Sequence, residues 1–278
     1  MIKMTYLASF LLGLVQGAAE FLPISSSGHL AIAQNLLGLD TELPEFFDVL
    51  LHLGTLAAVF VVYWSDIVAM IREFFLGIRD LKNHTTPQPV PPARRMILLL
   101  VVGSLPLFLI LPFHKEIQAL SDNMTFVGAA LIFTGLALFL SDLSRRKNKT
   151  ERNATLLDVI VVGLGQTIAT FPGVSRSGMT ISTGCYVGFE RSFAVRFSFL
   201  LSIPAVVAAN LLSLADALKA GVDMSDFPKY LVGVLTAGLV GYLCLRLLKF
   251  VARRGRFGAF AYYCWAVGLL TLIMSIIK

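Results

Sequence analysis

The sequence predicts an all-α polytopic membrane protein, with about six transmembrane helices and two re-entrant helical hairpins arranged as an inverted repeat. Three observations lead there. The 278-residue chain is 56% hydrophobic and only 14% charged, with a mean hydropathy of +0.79, which excludes an ordinary soluble domain. Its apolar stretches recur at the length that crosses a bilayer, roughly 20 residues. One pattern also appears twice without gaps. GLVQGAAEFLPISSSG starts at Gly13 and GLGQTIATFPGVSRSG at Gly163, in register at Gln16/Gln166, Phe21/Phe171, Ser25/Ser175, Ser27/Ser177 and Gly28/Gly178, and again downstream at Leu50/Leu200 and Leu51/Leu201.

The first copy lies in an apolar segment, 8–36, broken in its middle by Pro, Gly and Ser. A bilayer tolerates such a break only where the freed backbone lines a protein-walled or watery cavity, so the segment reads as a hairpin. It does not read as a cleaved leader, because its amino end carries only Lys3 and cleavage would remove half of the duplication. A loop with Asp40, Glu42, Glu45 and Asp48 follows, solvated or gathering a metal, and then a span from Phe46 to Trp64. The stretch from Asp66 to Arg95 reads as a connection with an amphipathic piece around Ile67 to Ile78. It ends in TTPQPVPP, whose prolines make a stiff extended linker. Further spans run from Met96 to Phe113 and from Phe126 to Leu140, the latter short. A hydrophilic linker, 142–155, separates the copies. The second hairpin, 156–188, precedes spans from Phe193 to Ala215, Tyr230 to Leu248 and Phe257 to Ile277. Residues 1–278 thus form a single integral membrane domain of two inverted repeats, about 1–141 and 156–278, joined by the basic linker 142–155.

The net charge of +6 reads as topology rather than as a nucleic-acid surface. With six crossings and each hairpin returning to its own side, one face collects five groups of cations. These are Arg72, Arg79 and Lys82; Arg94 and Arg95; Arg145, Arg146, Lys147, Lys149 and Arg152; Arg191 and Arg196; and Arg246, Lys249, Arg253, Arg254 and Arg256. The other face keeps Lys3, Lys115, Lys219, Lys229 and Lys278. The richer face is cytoplasmic by the positive-inside rule, which leaves both termini outside. An odd number of crossings between the hairpins inverts one half relative to the other. Cys185, Cys244 and Cys264 are dispersed without metal-ligand spacing. The Gly and Ala content of the spans fits close helix packing and a homodimer face.

Chemistry concentrates at the two breaks. Gln16 and Glu20 are four apart, one helical turn, and His29 follows the break. A carboxylate at membrane depth faces a bundle interior or aqueous cavity, unless Glu20 lies at headgroup level. Ser25, Ser26 and Ser27 stand where a helix restarts, as hydroxyl donors and caps. In the second copy Arg176 sits between Ser175 and Ser177. A guanidinium cannot shed its charge and needs an anionic, oxygen-rich partner, for which phosphate is the natural choice. The serines, Thr180 and the N–H groups of the restarting helix would aim further donors at that anion. An Arg176–Glu20 ion pair holding the hairpins together is the plainer alternative, compatible with the first if it opens for substrate. His52, alone in a span, reads as a core histidine bonded to a backbone carbonyl. His84 and His114 read as solvated.

QGAAE with LPISSSGH, and PGVSRSGMT, resemble the (E/Q)xxxE and PGxSRSxxT signatures of the bacterial undecaprenyl-diphosphate phosphatase family, also called bacitracin-resistance proteins. The resemblance covers essentially the whole chain. It implies an integral membrane phosphatase of the bacterial cell membrane that removes the terminal phosphate of undecaprenyl diphosphate and so recycles the lipid carrier for cell-wall synthesis. It also implies a divalent cation, Mg²⁺ or Ca²⁺. Position by position, Gln16 and Glu20 fall on the first signature, Ser26 and Ser27 on its hydroxyl run and His29 on the family histidine. Gly173, Ser175, Arg176, Ser177 and Thr180 fall on the second. Gln16 lacks a charge, which weakens any scheme with two carboxylate metal ligands from that signature.

Diphosphate hydrolysis needs charge neutralisation and an in-line nucleophile. The expected catalytic set is Glu20, Ser26, His29 and Arg176, with Glu20 also holding metal. Gln16, Ser25, Ser27, Gly173, Ser175, Ser177 and Thr180 are expected around the substrate. Ser26 is the first choice of nucleophile, His29 is a base or the nucleophile itself, and activated water stays open. The polyprenyl substrate is expected to reach the site from the outer leaflet. A transporter or lipid flippase working by alternating access is the other class the repeat accommodates.

Overall fold

In a computed structural model of the chain, residues 4–36, 45–85, 87–144, 148–220, 226–254 and 257–277 are described. Every regular element among them is helical. The order is α1 (Tyr6–Phe21), α2 (Ser26–Leu36), α3 (Glu45–Val62), α4 (Trp64–Lys82) and α5 (Pro92–Ser104), which tightens into a 3-10 segment over Leu105–Phe113. Then follow a short α6 (His114–Gln118), α7 (Met124–Leu143), α8 (Leu156–Ile168), α9 (Arg176–Val187), α10 (Arg191–Ala220), α11 (Phe227–Arg254) and α12 (Gly258–Ile277). Asp40, Glu42, Lys3, Arg145, Arg146, Lys147, Arg256 and Lys278 lie outside the described residues, and with them most of the acidic loop and part of the basic linker.

Among the described residues, five helical stretches are long and apolar enough to cross a membrane: Pro92–Phe113, Met124–Leu143, Arg191–Ala215, Phe227–Arg254 and Gly258–Ile277. The pair Phe46–Val62 and Trp64–Lys82, bent by 78°, makes a sixth if taken as one span. The protein is therefore an integral, multi-pass membrane protein. The span expected to be short, 126–140, belongs to a helix of 20 residues, Met124–Leu143, whose start Asn123 caps, its side chain accepting from the Phe126 N–H at 3.1 Å. The connection after α3 is more helical than its sequence implied. All of Trp64–Lys82 is helix, with Val68, Ile71, Phe74 and Phe75 exposed beside Arg72 and Arg79. Pro92 then opens α5 at its first turn, where the missing N–H costs no helix bond.

The helices pack through small residues, as expected where lipid gives no hydrophobic drive for association. α1 lies along α11, which also contacts α3; α7 lies along α12; α8 packs on α5 and α9; and α10 joins α3 to α9. A Cβ on Gly17 would fall 2.6 Å from the Ala237 carbonyl, so α1 and α11 touch backbone to backbone. The basic end is stitched by acids. Asp142 takes Arg191 at 2.6 Å and the N–H groups of Phe257 and Gly258. Arg196 reaches Glu151 at 2.6 Å and Asp66 at 3.5 Å.

Candidate active site

Both copies of the repeated pattern fold into a helix, a break and a second helix, and they do so with the same local devices. Thr5 caps α1 and Thr155 caps α8, each side chain accepting an N–H three residues on. Ser25 Oγ accepts from the Gly28 N–H at 3.2 Å and Ser175 Oγ from the Gly178 N–H at 3.0 Å, which starts α2 and α9. The capping hydroxyls each pair with the serine two residues later, Ser25 with Ser27 at 3.3 Å and Ser175 with Ser177 at 3.2 Å. The chain reverses differently in the two breaks. In the first, Ser25 itself takes φ 75°; in the second, Gly173 takes φ 85°. A side chain at 173 would be strained by that φ and would also meet the Val127 carbonyl at 2.8 Å.

The two breaks touch. Ser27 Oγ accepts from the Gly173 N–H at 3.3 Å, and Ser177 Oγ donates to the Leu22 carbonyl at 3.4 Å. α7 holds the second break from behind, Thr134 Oγ1 accepting the Ser175 N–H at 3.0 Å. This contact brings Glu20, in the last turn of α1, against Arg176, in the first turn of α9. Arg176 Nη2 donates to Glu20 Oε1. Glu20 Oε2 accepts from Ser26 Oγ at 2.7 Å and from Gln16 Nε2 at 3.1 Å. Glu20 is buried, at 8% exposure, and both of its carboxylate oxygens have polar partners.

Two atoms of this cluster are buried without a partner: Arg176 Nη1 and Gln16 Oε1. An orphaned guanidinium nitrogen and an orphaned carbonyl oxygen each forfeit a hydrogen bond worth roughly 1–3 kcal/mol. The first is matched to an anion and the second to a cation or donor. Together with Ser26 Oγ they form a surface suited to a charged, oxygen-rich group.

The other expected residues divide. Thr180 Oγ1 is spent on the Arg176 carbonyl at 2.8 Å and on Ser198 at 2.5 Å, so it buttresses the turn that carries Arg176. Ser25 and Ser175 are buried caps. His29 stands apart from the cluster, its Nδ1 against the Ser25 carbonyl at 2.8 Å and its Nε2 against the Tyr263 hydroxyl at 2.9 Å. Among the described residues no hydrogen bond joins His29 to Ser26; the hydroxyl's partner is Glu20. His52 does bond a backbone carbonyl, that of Asp48 at 2.9 Å, but it is more than a core histidine, because its Nε2 also stands 3.9 Å from Glu20 Oε2. Neither Tyr263 nor the second face of His52 was visible in the sequence. The spacing of Asp48 and His52, one helical turn apart in a span, was the one available signal for His52.

A divalent cation finds oxygen here but no cage. Among the described residues no group of three or more His, Cys, Asp or Glu converges. Glu20 and the orphaned Gln16 Oε1 offer two hard donors, which fits a cation completed by substrate phosphate oxygens.

Known proteins share this chain nearly end to end. The family model for the bacitracin resistance protein BacA matches residues 9–270. The undecaprenyl-diphosphatase of Methanosphaera stadtmanae is 37% identical over 281 residues, covering 98% of this chain and 98% of that protein. That of Alkaliphilus metalliredigens is 36% identical over 275 residues, covering 99% and 100%. That of Desulfosudis oleivorans is 40% identical over 265 residues, covering 94% and 95%. With its polar cluster built from both repeated motifs, and with matches that span it almost completely, the chain belongs to the BacA bacitracin-resistance family.

Proposed function

We propose that this protein hydrolyses undecaprenyl diphosphate to undecaprenyl phosphate and inorganic phosphate at the Glu20–Arg176 cluster, in the bacterial cell membrane. The observation that carries the reading is the buried, unpartnered Nη1 of Arg176 beside a serine hydroxyl already bonded to a carboxylate. Arg176 grips the terminal phosphate, and Ser26 Oγ attacks its phosphorus as the bridging P–O bond breaks. Glu20 accepts the hydroxyl proton through the 2.7 Å contact. The lipid phosphate departs without a general acid, since the second pKa of a phosphate monoester is only about 6. Glu20 loses that first proton to solvent as the lipid phosphate departs; water then attacks the phosphoserine phosphorus as the Ser26 Oγ–P bond breaks, and Glu20 takes the water's proton and returns it to Ser26 Oγ, releasing inorganic phosphate. His29 makes its hydrogen bonds to the Ser25 carbonyl and the Tyr263 hydroxyl, so in this scheme it positions the first turn of α2 while Glu20 takes the proton.

Glu20 and Gln16 Oε1 would hold Mg²⁺ or Ca²⁺ jointly with the diphosphate, and the ion would supply further charge neutralisation. Opening of the Arg176–Glu20 pair on substrate entry would free Glu20 Oε1 for the ion and Arg176 Nη2 for the phosphate. The matched caps and paired serines of the two copies support an inverted repeat, about 1–141 and 156–278, whose breaks are re-entrant hairpins entering from opposite faces around linker 142–155. The cationic end is then cytoplasmic, and the site opens to the outer face. Alternating-access transport does not account for a serine hydroxyl held on a buried carboxylate.

Release of inorganic phosphate from a soluble short-chain prenyl diphosphate by the detergent-purified protein tests the reading, because transport needs sealed compartments and hydrolysis does not. Arg176→Ala is expected to abolish that release; near-normal turnover in this variant would remove the anchor. In proteoliposomes, hydrolysis confined to substrate in the cytoplasmic leaflet would refute outer-face access.

A further inference from the structure

We propose that the basic end of the bundle carries a second anion site, separate from the Glu20–Arg176 cluster, which holds the headgroup of an anionic glycerophospholipid. A cleft of about 460 Å³ lies where α3 ends and α11 runs past it, between Val61 and Val62 on one side and Tyr242, Arg246, Lys249 and Arg253 on the other. The three cations are spaced three and four residues apart, so they share one face of α11. Like charges so placed repel one another and need a counter-charge. The protein supplies little of it. None of the three makes an ion pair with a carboxylate among the described residues, and Asp66, the acid acting on Lys249, is taken by Arg196 at 3.5 Å. The Lys249 ammonium lies 4.7 Å over the Tyr63 ring and Arg246 donates to the Tyr242 hydroxyl at 2.9 Å, so aromatic groups orient both cations toward the cleft.

Depth and rim decide which anion fits. At this point α4 leaves α3 at 78°. Along α4, exposed Trp64, Ile71 and Phe75 alternate with exposed Arg72 and Arg79, the pattern of a helix lying in the headgroup layer. The cleft therefore sits at headgroup depth. Its flank is apolar and open, with Val61 65% and Phe250 51% exposed, and Leu243, seven residues before Phe250 and so on the same face of α11, exposed as well. A phospholipid supplies a phosphate to the cations and acyl chains to that flank, whereas a free anion would leave the flank uncovered. Basic pockets between helices at this leaflet are suited to anionic lipid. A buried aromatic layer, Phe21 on Phe199 at 5.5 Å and Phe199 on Tyr63 at 6.3 Å, lies between Glu20 and the cleft, and the two sites share no residue.

The full-length protein would be reconstituted in vesicles of equal phosphatidylcholine and phosphatidylglycerol and extracted in mild detergent, and its retained lipids weighed by native mass spectrometry. Wild type is expected to retain phosphatidylglycerol with about 100-fold preference, the sum of three surface cations. The triple variant Arg246→Gln/Lys249→Gln/Arg253→Gln is expected to lose that preference while hydrolysing short-chain prenyl diphosphate at the wild-type rate. A charge-conserving triple, Arg246→Lys/Lys249→Arg/Arg253→Lys, should keep the preference and so guards against misfolding. Equal retention of the two lipids by wild type, an undiminished preference in the Gln variant, displacement of the lipid by inorganic phosphate, or loss of hydrolysis in the Gln variant would each overturn the proposal.

Discussion

Glu20 and Arg176 each sit at the end of a helix where the backbone dipole opposes their charge, a carboxylate in the last turn of α1 and a cation in the first turn of α9. Only their contact cancels both penalties, and a phosphate drawn to Arg176 would restore the favourable arrangement, an anion at a helix N-terminus. Arg176→Lys keeps the charge but loses the guanidinium's second donor, so detergent-phase turnover should fall about 10²- to 10³-fold with the chain still folded, as judged by thermal melting. Ser26→Ala should eliminate a phosphoenzyme trapped by acid quench and slow release by at least about 10²-fold. Normal turnover in this variant would transfer the nucleophile's part to water. Ser25 gives a sharper test of strain. Its φ of 75° costs roughly 1–3 kcal/mol, while replacing a capping serine by glycine costs a few tenths. Ser25→Gly is therefore expected to melt no lower than wild type, and Ser25→Ala, which loses the cap and keeps the strain, to melt lower. Residue chemistry was legible in the sequence wherever a rule was broken: a carboxylate and a guanidinium in apolar segments stand out. Tyr263 was not, because its contact with His29 joins positions far apart in the chain and no local pattern encodes it.

The broken helix pairs were legible from Pro, Gly and Ser inside apolar stretches, and their caps fall on the duplicated serines. The elbow between α3 and α4 was not. Tyr63 and Trp64 carry no helix-breaking signal, and the 78° turn is fixed by packing, with the Tyr63 ring 1% exposed, stacked on Phe199 and lying under Lys249. The span over 126–140 was read short for the opposite reason, since polar Thr125 and Asn123 end its apolar run while its helix, capped by Asn123, starts at Met124. At the α1–α11 crossing backbone contact leaves no room for a side chain. Gly17→Val should cost roughly 1–3 kcal/mol and lower the melting temperature, because the Ala237 carbonyl it meets belongs to a helix that cannot move aside alone.

On the scale of the whole molecule the proposed topology is decided by which side each connection faces. In a cysteine-free background, Asp122→Cys, between α6 and α7, should react with a membrane-impermeant maleimide in right-side-out vesicles. Arg152→Cys, in the linker before α8, should react only after permeabilisation; both positions are exposed. Labelling of the two from the same side would end the inverted arrangement.

The bond between the two tips, Glu20 to Arg176, carries a lesson about ancestry. In the aligned copies Glu20 corresponds to Thr170 and Arg176 to Ser26, so each arm has kept what the other lacks. A single arm carrying both residues and pairing with its twin would have made the same acid-to-base contact twice, once on each side of a two-fold axis. Fusion into one polypeptide lets the twins diverge, and the result is a division of labour in which neither descendant can work without its sibling.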